Sequence, residues 1–121
     1  RARVRALAEA VNAGIQPLQN LTTLIAVAPE TDPGFATRRK EWAQHWIREG
    51  FAAYEKLVAR SAGEFSDGDE ITLADLCLVP QCYNALRNEV ALESFPTIAR
   101  IYANAVATEG YRASEPERFK P

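Results

Sequence analysis

Five uncharged polar residues near the start of the chain, Asn12, Gln16, Gln19, Asn20 and Thr23, stand at offsets of zero, four, seven, eight and eleven. On a helix that turns about 100° per residue they fall within an arc of about 100°. An ordinary solvated face carries mostly Lys and Glu. Side-chain amides instead offer donors and acceptors together, which suits a peptide backbone or a peptide-like ligand. The same stripe would serve as a contact between helices or subunits, and spacing alone leaves both readings open. A second candidate is Arg87, in Asn84-Ala85-Leu86-Arg87. A planar guanidinium can fork onto a carboxylate through two parallel hydrogen bonds. It can also lie along a helix end, where the C-terminal dipole favours a cation.

Little else in the chain offers chemistry. No nucleophile–base pair, metal-ligand cluster or phosphate loop is present, so no catalytic residue is expected within this span. The single histidine, His45, lies between Trp42 and Trp46 with no paired carboxylate. Aromatics four apart on an apolar stripe read as core. Cys77 and Cys82 would point about 140° apart on one helix at about 100° per residue, which excludes a bridge between them. Without a Cys-x-x-Cys pair a zinc site is not expected. Cys77 reads as a small buried hydrophobe. Reduced thiols fit a cytosolic setting.

The elements that must position these residues are organised around Asp69 to Gln81. Thr72 followed three residues later by Asp75 has the form of a capping box, with Ile71 and Leu76 at the flanking staple positions. The apolar run beyond it predicts a central helix wrapped by others, reaching about Arg87 and carrying Pro80 in its interior, where a kink is expected. Apolar residues recurring at three and four over 4–28 predict a first helix bent near residues 13–17 by Gly14 and Pro17. Pro29 to Gly34 closes it as a loop. A second helix is expected over 35–61, buried along Phe35, Trp42, Trp46, Phe51 or Gly50, Tyr54, Leu57 and Val58 and stopped by Gly63. Pro96 opens a fourth, with Gly110 as its C-cap and a short helical turn at Tyr111 to Ala113. No strand-period segment or repeat is present. The expected fold is all-α, one domain over 1–121 made of four long helices and one or two short ones.

A chain of 121 residues carries one core. Its net charge of −2 supplies no field for nucleic acid or an anionic membrane surface. Its apolar residues come in periodic runs far short of the roughly 20 that span a bilayer. A soluble, cytoplasmic protein is expected. No methionine occurs and the sequence opens on Arg1; an excised domain or the tail of a longer chain is expected.

Two stretches carry a family resemblance. Thr72-Leu73-Ala74-Asp75-Leu76-Cys77-Leu78-Val79-Pro80-Gln81 resembles the C-terminal domain of cytosolic glutathione transferases, of the zeta class in particular. Gly14-Ile15-Gln16-Pro17-Leu18-Gln19-Asn20-Leu21 resembles a second zeta-class motif, found in maleylacetoacetate and maleylpyruvate isomerases. The likeness runs from about Val4 to Pro116. It implies a preceding thioredoxin-like domain, absent from this chain, that carries a catalytic Ser-Ser-Cys stretch. It further implies a homodimer and glutathione as cofactor, with Gln16, Gln19 and Asn20 at the glutathione or the subunit boundary. Arg87 would face the carboxylate of a small dicarboxylic substrate. The implied chemistry is a glutathione-dependent cis–trans isomerisation, with the substrate open between maleylacetoacetate, maleylpyruvate and haloacids. Asn88-Glu89 departs from the family pattern beside Arg87. The alternative is a non-catalytic interaction module, since the same helical fold occurs in translation and scaffold complexes. Such a module would have no need to keep Gln16 to Asn20 together with Arg87.

Overall fold

Every regular element is helical. The computed structural model describes residues 1–121, with six α-helices: α1 (Ala2–Asn12), α2 (Leu21–Val27), α3 (Phe35–Val58), α4 (Leu73–Arg87), α5 (Pro96–Val106) and α6 (Glu109–Ser114). Short 3-10 turns cover Gln16–Gln19, Leu92–Ser94 and Pro116–Phe119. Four helices are long and two short, as expected, but the partition differs at the start. Instead of one bent helix over 4–28, the chain leaves α1 at Asn12, makes the 3-10 turn, and restarts as α2 after Asn20, whose backbone is extended at φ −61° and ψ 143°. Pro17 accounts for the break: it has no N–H to donate and its ring crowds the carbonyl four residues back. Near the start of the 3-10 turn the missing donor costs nothing.

Side chains then hold this irregular segment against α3. Trp42 Nε1 donates to the Leu18 carbonyl at 2.8 Å, and the Thr23 hydroxyl donates to the Pro17 carbonyl at 3.1 Å. Ile15, fully buried, fills the space left by Gly50 of α3; a Cβ at position 50 would lie 2.3 Å from Ile15 Cγ1. Along α3 the buried stripe is Ala43, Ile47, Phe51, Tyr54 and Val58. Trp42 and Trp46 are only half-buried and Leu57 is exposed, so the stripe is rotated from the expected one. An indole has a polar tip, and Trp42 sits at the rim where that tip reaches a carbonyl. Gly63 does not stop α3, which ends at Val58; it allows the loop over 61–69 to close, since a Cβ there would meet Asp69 Oδ1 at 2.3 Å.

The capping box forms at the start of α4. Asp75 Oδ2 accepts the Thr72 backbone N–H at 2.9 Å and the Thr72 hydroxyl at 3.2 Å, while Oδ1 accepts the Ser66 N–H at 2.8 Å. A carboxylate this deeply buried requires such partners, and Asp75 is 1% exposed. Ser66 Oγ in turn pairs with the Tyr54 hydroxyl at 2.8 Å, so one acid ties the loop to both α3 and α4. Burial pushes the Tyr54 phenol well above its ordinary range. α4 runs unbroken through Pro80 and buries Ala74, Leu78, Cys82 and Ala85. It is not wrapped on all sides, however: Leu73 is 53% and Leu76 65% exposed. Ile71 and Leu76 both stand open at the staple positions.

Pro96 begins α5, as expected, but the helix is capped from elsewhere: Glu55 of α3 accepts the Thr97 and Ile98 N–H groups at 2.7 and 3.0 Å. A carboxylate at that end also meets the positive pole of the helix. Gly110 lies within α6 and is not the C-cap of α5. Thr108 makes the boundary, its hydroxyl accepting the Tyr111 N–H at 3.2 Å to start α6. No helix is long and apolar enough to cross a membrane.

Candidate ligand-binding groove

Because Pro17 turns the chain out of its helical path, the amides around it do not lie on one helix face. They meet in a groove instead. Asn12, Gln16, Gln19 and Asn20 form one wall of a concavity of about 400 Å³, and Leu76, Cys77, Pro80, Gln81 and Asn84 of α4 form the other. Thr23 is not among them, its hydroxyl being used by the Pro17 carbonyl. Asn12, Gln16 and Asn20 are exposed, and their side chains make no hydrogen bond within the protein. Gln19 is the opposite case: Nε2 donates to the Ile15 carbonyl at 3.2 Å, and Oε1 accepts from Gln81 Nε2 at 3.1 Å and from Asn84 Nδ2.

Arg87 is not in this groove. It lines a neighbouring cavity of about 250 Å³ with Leu24, Ala43 and Asn88, and the two cavities share Gln19 and Asn84 as a common wall. The guanidinium is exposed, lies 5.9 Å from the Tyr83 ring centroid, and has no carboxylate within ion-pair distance. Glu89, whose backbone adopts φ 60°, pairs with Lys40 of α3. The acid two residues after Arg87 is thereby committed elsewhere, and the positive charge stays available.

Gln81 and Asn84 are functional candidates that the sequence reading passes over. Cys77, Gln81, Asn84 and Asn88 stand at offsets of zero, four, seven and eleven, a stripe of the kind seen at Asn12 to Thr23. Leu78, Val79 and Pro80 between them make the segment read as uniformly apolar. Cys77 belongs to the groove wall and not to the sealed core, whereas Cys82 is fully buried and its thiol is pushed up to about 12 by burial. No group of three or more His, Cys, Asp or Glu is placed to hold a metal ion. His45 packs edge-on against Trp46 at 4.9 Å, and Trp46 against Trp42 at 5.7 Å, so these aromatics are structural.

A third cavity, about 450 Å³, opens between α4 and the C-terminal segment and is largely apolar, with Ile71, Leu76, Val79, Tyr83, Tyr111 and Pro116 among its walls. There the tail is clasped to α4: the Tyr83 hydroxyl donates to Glu117 at 2.5 Å and Lys120 Nζ to the same carboxylate at 2.6 Å. The Lys120 and Tyr83 hydrogen bonds hold the Glu117 carboxyl below its usual range, and the Tyr83 phenol is raised by its bond to that carboxylate.

The family model for the glutathione S-transferase C-terminal domain matches residues 20–110. A probable maleylacetoacetate isomerase of Drosophila melanogaster is 48% identical over 116 residues, 96% of this chain and 48% of that protein. The structure superposes with a TM-score of 0.86 on maleylacetoacetate isomerase of Anaeromyxobacter dehalogenans with bound glutathione, at 44% identity over 100% of this chain and 54% of that one. It also matches a maleylpyruvate isomerase that is a bacterial zeta-class glutathione transferase, with a TM-score of 0.84 at 35% identity over 97% of this chain and 57% of that one. The chain thus spans about half the length of the curated relatives it matches.

Proposed function

The chain belongs to the glutathione S-transferase C-terminal domain family, and we propose that it forms the substrate-side half of a zeta-class enzyme that isomerises maleylacetoacetate or maleylpyruvate with glutathione. The observation that carries this reading is the shared wall: a groove bearing the free amides of Asn12, Gln16 and Asn20 adjoins a cavity holding a guanidinium with no carboxylate partner. Glutathione is a peptide with amide and carboxylate oxygens, and the free amides of Gln16 and Asn20 and the second N–H of Gln19 match such a ligand chemically. When bound, glutathione supplies the thiol that lets a conjugated cis double bond turn. The residues of this chain orient the partners of that reaction: Gln16, Gln19 and Asn20 hold the peptide, and Arg87 holds a carboxylate of the substrate through its fork. A thioredoxin-like domain preceding these residues would provide the activating group and the remaining glutathione contacts. A cytoplasmic homodimer completes the proposal.

Substituting Arg87→Lys in the intact protein tests it. Lysine keeps the charge but loses the planar fork. Loss of one or two charge-assisted hydrogen bonds lowers kcat/KM for maleylacetone by roughly ten- to a hundredfold, with glutathione affinity and stability nearly unchanged. An uncharged electrophile should be turned over almost as before. Equal losses for carboxylate and uncharged substrates, or no loss for either, would overturn the role given to Arg87.

A further inference from the structure

The amide groups that separate the two cavities form a relay whose polarity is set at both ends by backbone carbonyls. A carbonyl only accepts. Gln19 Nε2 donates to the Ile15 carbonyl at 3.2 Å, which turns Gln19 Oε1 toward α4. That oxygen can receive only donors, so Gln81 and Asn84 must offer it their nitrogens, as they do. Asn84 Oδ1 then points away and accepts from Asn88 Nδ2 at 3.3 Å, and the same Nδ2 is anchored at 2.9 Å on the Asn84 backbone carbonyl. Reversing any one amide would set oxygen against oxygen or nitrogen against nitrogen. Gln44 of α3 latches the far end by donating to the Asn88 carbonyl at 2.8 Å.

The consequence falls on Gln19. Its oxygen is saturated by two donors, and its nitrogen has spent one of two hydrogens on Ile15. What remains on the Gln19 amide, at the wall shared by both cavities, is a single N–H. We propose that Asn84, assisted by Gln81 and Asn88, is a positioning residue that locks the Gln19 amide so that this wall offers a donor, selecting a ligand with a carbonyl or carboxylate oxygen at that point. Asn84 acts through Gln19. It also stands one turn before Arg87 on α4, so the relay couples the peptide groove to the carboxylate cavity. The inference deepens the proposed function and rests on glutathione as the groove's ligand.

A double-mutant cycle in the intact protein tests it, with glutathione affinity measured by titration calorimetry and denaturant midpoints recorded for every variant. Gln19→Ala should weaken glutathione binding roughly three- to tenfold, the worth of one neutral hydrogen bond. Asn84→Ala should cause a similar loss with Gln19 present and almost none in the Gln19→Ala background. Asn84→Asp, nearly isosteric, sets an acceptor against Gln19 Oε1, forces the amide over, and should bind glutathione more weakly than Asn84→Ala. Equal losses from Asn84→Ala in both backgrounds, or an Asn84→Asp protein that binds as well as the parent, would overturn the positioning role while glutathione binding by the parent stood. A parent that binds no glutathione would instead overturn the proposed function, and the inference with it.

Discussion

Cys82 and Cys77 stand five residues apart on α4 and have different surroundings. Cys82 is sealed in the core beside Leu78 and Ala85, whereas Cys77 borders the groove, beside the exposed Leu76. The contrast extends to the polar residues of the helix. Asp75 spends its whole carboxylate on the capping box and the Ser66 N–H, so its chemistry is consumed by the fold. The amides facing the other way, Gln81 and Asn84, fix a neighbour that keeps a donor to spare. The two faces teach that a polar group's partners, more than its type, separate scaffold from site. An amide with every donor and acceptor matched stabilises, and an unmatched one in a concavity is free to bind.

Pairs of substitutions across that divide sharpen it. Leu78→Ala should destabilise the domain by about 2–5 kcal/mol, because a fully enclosed side chain leaves a cavity. Leu76→Ala, two-thirds exposed, should stay within about 0.5 kcal/mol. Denaturant midpoints decide the matter, and similar shifts for the two leucines would remove the distinction between the faces. Asp75→Ala comes next. It strands the Ser66 and Thr72 N–H groups and should cost about 2–4 kcal/mol, against about 1 kcal/mol for Thr72→Ala. If Thr72→Ala proved the more damaging, the box rather than the loop anchor would be the dominant use of Asp75.

The smallest effect is one of pH. Burial raises the Cys82 thiol from 9.0 to about 12, so the unfolded chain releases this proton first. Its contribution to stability is therefore intact below about pH 9 and lost as pH rises toward 12. Burial raises the Tyr54 and Tyr102 phenols as well, which gives the same sign at higher pH. Cys82→Ala should show a shallower decline in stability over that window than the parent. Identical alkaline profiles for parent and Cys82→Ala would contradict the burial of Cys82.

The helical class, the capping box at Thr72, the helix start at Pro96 and the clustering of Gln16, Gln19 and Asn20 were all legible in the sequence, because each is written in neighbouring residues. What was not legible depends on distant partners. Glu55 caps α5 from more than forty positions away, and no local pattern announces it. The rotation of the α3 stripe follows from where Trp42 finds the Leu18 carbonyl. Pro17 was read as a bend, but Asn20 leaves the helix altogether, so the geometry of a continuous helix placed Thr23 in the site where it does not belong. Gln81 and Asn84 were masked by apolar neighbours, although their spacing repeated that of the first stripe.

Gly50 is an interior helical residue whose flexibility weakens α3 by about 0.5–1 kcal/mol relative to alanine. The fold keeps it because Ile15 occupies the place of the missing methyl. Since Ile15 also supplies the carbonyl that accepts from Gln19, the side chain packed on Gly50 and the backbone that holds the groove amide belong to one residue. This makes position 50 a means of adaptation at a distance: descendants of this sequence could retune their hold on a ligand by changing one hidden residue, leaving every residue of the groove wall as it was inherited.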